Sequence, residues 1–385
     1  MTSMTQISKI RTQDDWTPID VLKFIKKNSV LAILALLLLG LMLLRGDGLN
    51  ALTGYGRFIE WNTIIVLAGI LMITTGIRES NFLSQIAQKI MARPISERNV
   101  ALILVALSAL LATFLTNDIA LFIIVPLTMS LQDNVKNDLA KLVIFEAIAV
   151  NVGSALTPIG NPQNLFLWHE WGISFIPFMG TMAPLVALLL LLLLGMAWFS
   201  FGRSELQGET MTVTGLDRRL FALSMALLAG FIVAAEFHWA AYALPAVLII
   251  YLLFYRSILK DVDWLVLLIF ILMFIDFGLI AEFPWVTHIL RQISQMGSKG
   301  VFVAAALISQ MVSNVPATVM IARFSSDWRA IAYGVNVGGN GMIIASLANL
   351  LALRIAGGEG LWLKFHKYSL LYLAISLTLV YLLFR

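Results

Sequence analysis

The chain has 385 residues, of which 60% are hydrophobic and 12% charged, and it contains no cysteine. That much apolar surface exceeds what a soluble fold of this length buries, so its solvent is lipid, and the missing thiols exclude disulfides, cysteine nucleophiles and thiolate metal sites. The formal charge of +4 implies no nucleic-acid partner, because in a membrane protein the placement of Lys and Arg carries more information than their sum.

Residues 1–28 are polar, of mixed charge, and read as a cytoplasmic N-terminal segment. The apolar run 29–45 follows. A cleavable signal peptide needs a small-residue cleavage site after such a run, but Arg45-Gly46-Asp47-Gly48-Leu49-Asn50 stands there, so the run reads as the first span. A hydrocarbon core about 30 Å thick takes about 20 helical residues. That ruler selects further full spans near 58–77, 139–173 (interrupted), 177–202, 218–236, 240–255, 262–281, 329–355 (interrupted) and 366–384. Two more apolar segments, 99–131 and 299–325, carry polar breaks at Thr116-Asn117-Asp118 and Ser313-Asn314-Val315-Pro316, and each half reads as too short to cross alone. Both are expected to be re-entrant hairpins, which lipid permits only where the broken backbone is buried in protein or lines a wet cavity. The predicted fold class is an all-α membrane protein with about nine full spans, two re-entrant hairpins and discontinuous helices. A single transmembrane domain is expected over residues 29–385.

With the N-terminus cytoplasmic and both hairpins re-entrant, most of the 26 Lys and Arg lie on the inner side of a cell inner membrane and the C-terminus is periplasmic. Treating the hairpins as full spans would instead turn Lys136, Lys141, Arg203, Arg218 and Arg219 outward.

The chain is also similar to itself. The stretch from Asn151 to Leu165 aligns without a gap on the stretch from Asn336 to Leu350, with Asn-Val-Gly at the start and Asn-Leu at the end of both. Upstream, the polar break at Thr116-Asn117 matches that at Ser313-Asn314, and before each lies an apolar span entered by a tryptophan, Trp61 or Trp264. The predicted organisation is repeat one over 29–202, a linker span over 203–239 and repeat two over 240–385. The odd crossing between them makes the repeats inverted, and transporters so built place discontinuous helices and their sites at the repeat interface.

A broken membrane helix frees N–H and C=O groups that hydrocarbon cannot satisfy. The half-helices that begin after Asn117, after Asn314 and after the Pro158 to Pro162 interruption present partial positive charge, suited to an anion. Unwound carbonyls with Thr116, Asn117, Ser313 and Asn314 supply oxygens of the kind that hold sodium. Asn151, Thr157, Gly160, Asn161 and Asn164 in one copy, and Asn336, Ser346 and Asn349 in the other, complete the candidate site. The competing reading is that these residues only cap helices, pack closely or bond between helices. Asp118 at the first hairpin tip is the candidate coupling residue, with Val315 as its counterpart in the second. Asp276 reads either as a second coupling residue or as a hydrogen-bond partner for a neighbouring helix, and Glu146 is a third buried acid. Arg323 and Arg329 either guide anions or snorkel. His169, His238, His288 and His366 fall near span ends without metal-ligand spacing. No zinc-protease, hydrolase-elbow or ATP-loop pattern occurs, so no catalytic residue, metal or cofactor is assigned beyond a transported or coupling Na+ or H+.

The run Leu115-Thr-Asn-Asp-Ile-Ala-Leu-Phe-Ile-Ile-Val-Pro-Leu127, the turn Gly160-Asn-Pro-Gln-Asn164 and Ser313-Asn-Val-Pro316 give the chain its family likeness. It resembles the ion transporter superfamily, in the branch of arsenite permeases, D-type sodium/proton antiporters, and citrate and dicarboxylate transporters, as a CitMHS-like anion transporter. The resemblance implies two repeats with opposed hairpins, a scaffold and a moving part, elevator-like alternating access and a homodimer. Sodium/dicarboxylate members carry a Ser-Asn-Thr-like triplet at each hairpin tip. The triplets here end in Asp118 and Val315, which sets the chain closer to the arsenite and citrate permeases. The function so read is secondary transport of a small anion or oxyanion, such as citrate, a dicarboxylate or arsenite, coupled to protons or sodium. The alternatives are a sodium/proton antiporter, a membrane-embedded enzyme and a passive channel.

Overall fold

The computed structural model describes residues 29–46, 52–82, 85, 95–129, 139–206, 215–357 and 360–383. The expected cytoplasmic segment 1–28 and Lys136 lie outside them. The chain folds as helices α1 (Ser29–Arg45), α2 (Trp61–Glu79), α3 (Glu97–Phe114), α4 (Asn117–Met129), α5 (Leu139–Ser154), α6 (Pro162–Glu170), α7 (Phe175–Ser200), α8 (Arg218–Glu236) and α9 (Ala240–Phe254). These are followed by α10 (Arg256–Asp261), α11 (Trp264–Ala281), α12 (Pro284–Ser294), α13 (Gly297–Val312), α14 (Asn314–Ala322), α15 (Trp328–Gly338), α16 (Leu347–Ala356) and α17 (Leu361–Leu383). A two-residue antiparallel pair, β1 (Ile95–Ser96) and β2 (Glu205–Leu206), ties the start of α3 to the chain after α7.

The all-α class holds, and among the described residues six helices are long and apolar enough to cross a membrane: α2, α3, α7, α8, α11 and α17. One of them corrects the sequence reading. The first half of the 99–131 segment is not too short, because Ser96 caps α3 and accepts from the Asn99 N–H, which extends it to 18 residues, about 27 Å of helix. A second correction concerns Pro284–Ser294, for which the sequence pattern gave no element. Proline at its first turn starts α12, which buries Val286, Leu290 and Ile293 along one side and leaves Trp285 and Ile289 exposed. Eleven residues with one apolar face suit a surface position better than a span.

The helices pack in two groups. In the first, α2 lies against α8, α9 and α11, and α1 lies against α11. In the second, α5 is surrounded by α3, α4, α7, α16 and α17, while α15 packs on α13, α14 and α17. Every residue of α5 from Leu142 to Ser154 is buried, so apolar residues occur on all its sides and its polar ones, Glu146, Asn151 and Ser154, take part in hydrogen bonds. The second halves of the interrupted helices cross over: α6 packs on α14 and α15, and α16 on α4 and α5. Several buried hydroxyls within helices are satisfied four residues back, as in Thr74 to Ile70 O, Ser108 to Leu104 O and Ser309 to Ala305 O, each 2.7 Å.

The Asn-Val-Gly sequences have a packing reason. A Cβ on Gly153 would run into the Ala109 backbone of α3, and one on Gly338 would stand 2.7 Å from the Ala306 carbonyl of α13. Glycine therefore lets α5 approach α3, and α15 approach α13, at backbone distance. Leu36 and Leu43 on α1, Leu191 and Phe199 on α7, and Leu252 and Leu253 on α9 are exposed, as on helices that face lipid.

Candidate functional site

The four breaks in the apolar helices are where polar side chains collect. Between α3 and α4 the helix ends at Leu115 and restarts at Asn117. No side chain caps the new N-terminus: Thr116 Oγ1 and Asn117 Oδ1 are buried and have no hydrogen-bond partner. Between α13 and α14 a single residue, Ser313, turns the chain with φ 78° and ψ 157°, a region that only glycine enters easily. Its hydroxyl meets Asn314 Oδ1 and the Ala345 carbonyl only at 3.5 Å.

The other two breaks, between α5 and α6 and between α15 and α16, are braced internally. Asn161 caps α6 by accepting from the Asn164 N–H at 2.9 Å, and Ser346 caps α16 by accepting from the Ala348 N–H at 3.3 Å. The Asn164 amide donates to the carbonyls of Ser154, Ala155 and Thr157. Asn349 donates likewise to those of Gly339 and Met342. The breaks are also bonded to each other. Asn151 Nδ2 donates to Asn349 Oδ1 at 2.8 Å, and Asn336 Nδ2 donates to Asn164 Oδ1 at 2.8 Å. Asn161 Nδ2 reaches Asn336 Oδ1 at 3.0 Å, and Ser346 Oγ reaches Asn151 Oδ1 at 2.9 Å. The two sets of bonds correspond position for position, Asn336 standing for Asn151 and Asn349 for Asn164.

One cavity lies where the breaks meet. Thr116, Asn117, Asp118, Gln163, Asn314 and Ser346 supply its polar wall, and Leu67, Leu71, Val266 and Phe270 its apolar wall. Pro162, Val315, Leu347 and Ala348 complete the lining, which contains no Lys, Arg or His. Its free centre is about 30 Å³, room for one water molecule. The N-termini of α4, α6, α14 and α16 all open on it.

The structure thus brings Thr116, Asn117, Asp118, Asn314 and Ser346 to the lining, with Ser313 at the turn before Asn314. Asn151, Asn161, Asn164, Asn336 and Asn349 stand behind it and hold the breaks, and Thr157 Oγ1 donates to the Thr113 carbonyl at 2.7 Å. Gly160 has a local role, since a Cβ there would strike the Ser154 backbone. Asp276 is absent from the lining. Glu146 accepts from Thr128 Oγ1 within the helix packing. Sequence reasoning missed Gln163, although it stands inside the Gly160 to Asn164 motif. It also missed Gln310, which donates to the Gly338 carbonyl and accepts from the Met342 N–H, both at 2.8 Å.

Charged side chains gather at the end of α11 away from Trp264. Glu282 pairs with Arg45 at 3.1 Å and with Arg57 at 3.0 Å. Arg323 donates to the Gly278 carbonyl at 3.2 Å and lies over the Phe58 ring. Burial, then the charge of Glu170, raises the Glu60 carboxyl above its ordinary range, with Arg323 opposing. Arg329 lies over Tyr333. A small second cavity touches His169, Glu236 and His238, but no group of three metal-ligating side chains occurs among the described residues.

Residues 21–326 match the family described as Citrate transporter, CitMHS. The chain is 39% identical over 336 residues to the inner membrane protein YbiR of Escherichia coli, covering 86% of this chain and 90% of that one. It is 34% identical over 330 residues to an uncharacterized transporter of Methanocaldococcus jannaschii, covering 83% and 88%. To an uncharacterized transporter of Mycobacterium bovis it is 25% identical over 350 residues, covering 81% and 82%.

Proposed function

Because the chain belongs to the citrate transporter family, a family of membrane transporters, we propose that it is a secondary active transporter of a small anion or oxyanion, coupled to protons or sodium. The observation that carries this reading is the convergence of four half-helix N-termini on one cavity. Each presents partial positive charge and free N–H groups. The ends of α6 and α16 are capped by Asn161 and Ser346, whereas no side chain caps α4 or α14. Those two uncapped ends, with the unpartnered Thr116 and Asn117 oxygens, leave donors and acceptors for a ligand. Asp118 beside them is the proposed coupling residue, since an acid at an anion site must be protonated or cation-paired for the anion to bind. The walls must part to admit a carboxylate, because the free centre holds one water.

The corresponding bonds of the two interrupted helices support two repeats, and the charge distribution supports their inversion. On this reading the chain sits in the cell inner membrane with a cytoplasmic N-terminus and periplasmic C-terminus, the hairpins turn back within the bilayer even though α3 has the length to cross it, and the protein works as a homodimer. A sodium/proton antiporter is the second reading. It is favoured by Asp118 on a lining without any cationic side chain.

Thermal unfolding of the purified protein tests both, since a ligand that binds only the folded state raises its melting temperature. Citrate, dicarboxylates, arsenite, phosphate and sulfate are each added with and without sodium at two pH values. An anion-dependent shift that requires sodium or low pH supports the anion transporter. A shift with sodium alone and with no anion replaces it by the antiporter.

A further inference from the structure

Asp276 lies in α11, six residues beyond the cavity-lining Phe270 and about 9 Å further along the helix axis. It is 0% exposed, and neither carboxylate oxygen has a hydrogen-bond partner. Among the described residues, no charged side chain on the helices around α11 bonds to Asp276. α1 carries only Arg45, which Glu282 engages. α2 has Glu60 before its start and Arg78 and Glu79 at its far end, and Arg57 precedes it. α14 is uncharged up to Arg323, which is bonded at Gly278. α6 has His169 and Glu170 at its last turn, and α12 has His288 and Arg291. On the cavity side the charged groups at the lining and at the start of α11 are themselves acids, Asp118 and the cap Asp263.

An ionised carboxylate without a protein partner is costly in such surroundings, whereas the neutral acid is tolerated. The side chain holds no neighbouring helix by a hydrogen bond. We infer that Asp276 is a proton-binding site separate from the substrate cavity, set between that cavity and the charged end of α11. Its role in driving transport rests on the transporter reading above; its proton occupancy does not.

The test uses the full-length protein in lipid, with N,N′-dicyclohexylcarbodiimide as probe, because this apolar reagent modifies protonated carboxyls buried in membranes. Mass spectrometry is expected to find the adduct on Asp276 and to lose it in Asp276→Asn. An unmodified Asp276 beside a modified Asp118 overturns the proposal. Asp276→Asn is expected to melt at or above the wild-type temperature, since it removes a cost and no bond. A lower melting temperature, restored by Asp276→Glu, would mark a structural hydrogen bond and overturn it as well. In proteoliposomes with citrate or sodium as the driven solute, proton flux is expected to fall at least about tenfold in Asp276→Asn, or about 1.4 kcal/mol in barrier, while solute exchange without a gradient persists. Proton flux unchanged by the substitution overturns the driving role. Absence of any flux in wild type with either solute counts against the transporter reading, and the adduct still decides the proton site.

Discussion

Replacing Asn336 by alanine strips the crossing point of the two interrupted helices. Its Oδ1 accepts from Asn161 at 3.0 Å and from Gln163 at 3.4 Å, and its Nδ2 donates to Asn164 and to the Ala332 carbonyl, both at 2.8 Å. In the variant Asn161 keeps Ser154 as a partner, but Asn164 Oδ1 and Gln163 Nε2 lose theirs. Each orphaned buried group costs about 1–3 kcal/mol, and Gln163 borders the cavity and can reach water, so Asn336→Ala is expected to cost about 2–4 kcal/mol. Asn340 gives the internal standard. It donates once, to the Asn336 carbonyl at 2.9 Å, and its Oδ1 has no partner to lose, so Asn340→Ala is expected to cost under about 1.5 kcal/mol. Reversible unfolding in mixed micelles, followed by tryptophan fluorescence, measures both. A double-mutant cycle with Asn164→Ala is expected to return about 0.6–1.7 kcal/mol of coupling, the span found for side-chain hydrogen bonds within membranes. If Asn336→Ala costs no more than Asn340→Ala, the amide network does not hold the breaks together and the reasoning fails.

Ser313→Gly relieves the backbone at the second hairpin turn and gives up only two bonds of 3.5 Å; it is expected to raise the unfolding free energy by about 1 kcal/mol, and a loss of stability would show that the serine hydroxyl outweighs the strain. Gly153→Ala forces α5 away from the Ala109 backbone and is expected to cost about 1–3 kcal/mol. Gly180→Ala, on the open side of α7, is expected to gain up to about 1 kcal/mol; equal effects at the two glycines in the same unfolding assay would refute the close approach. Because burial raises the Glu60 carboxyl, its contribution to stability is fully present below the ordinary carboxylate range and is lost as pH rises through the raised value. Glu60→Gln should therefore melt higher than wild type at neutral pH, with the gap closing on acidification, and a lower melting temperature at neutral pH would contradict that sign.

Much of the architecture is legible in the sequence because membrane helices leave few ways to accommodate Asn, Pro and Gly. Thr116-Asn117, Ser313-Asn314 and Asn161-Pro162 each interrupt an apolar run, and each marks a real joint between helices. Asn164 and Asn349 are conspicuous for the same reason. What they bond to is not, since Asn164 meets Asn336 across a fold that no local pattern encodes. Leu67, Leu71, Val266 and Phe270 look like any other lipid-compatible residues, and only the packing of α2 and α11 turns them toward the cavity. Gln163 was hidden by its neighbours, and α12 by its brevity. Asp276 was conspicuous as a charge in an apolar run, but its height relative to the cavity required three dimensions.

The two walls of the cavity differ in how they grip. On one side the half-helices are stitched by side-chain hydrogen bonds that cross from one interrupted helix to the other. On the facing side α2 and α11 offer only hydrocarbon, whose attraction is nearly indifferent to register. The boundary between them is therefore directional on one face only: a substitution at Leu67, Leu71, Val266 or Phe270 is felt as lost packing, and one on the facing wall as a lost hydrogen bond.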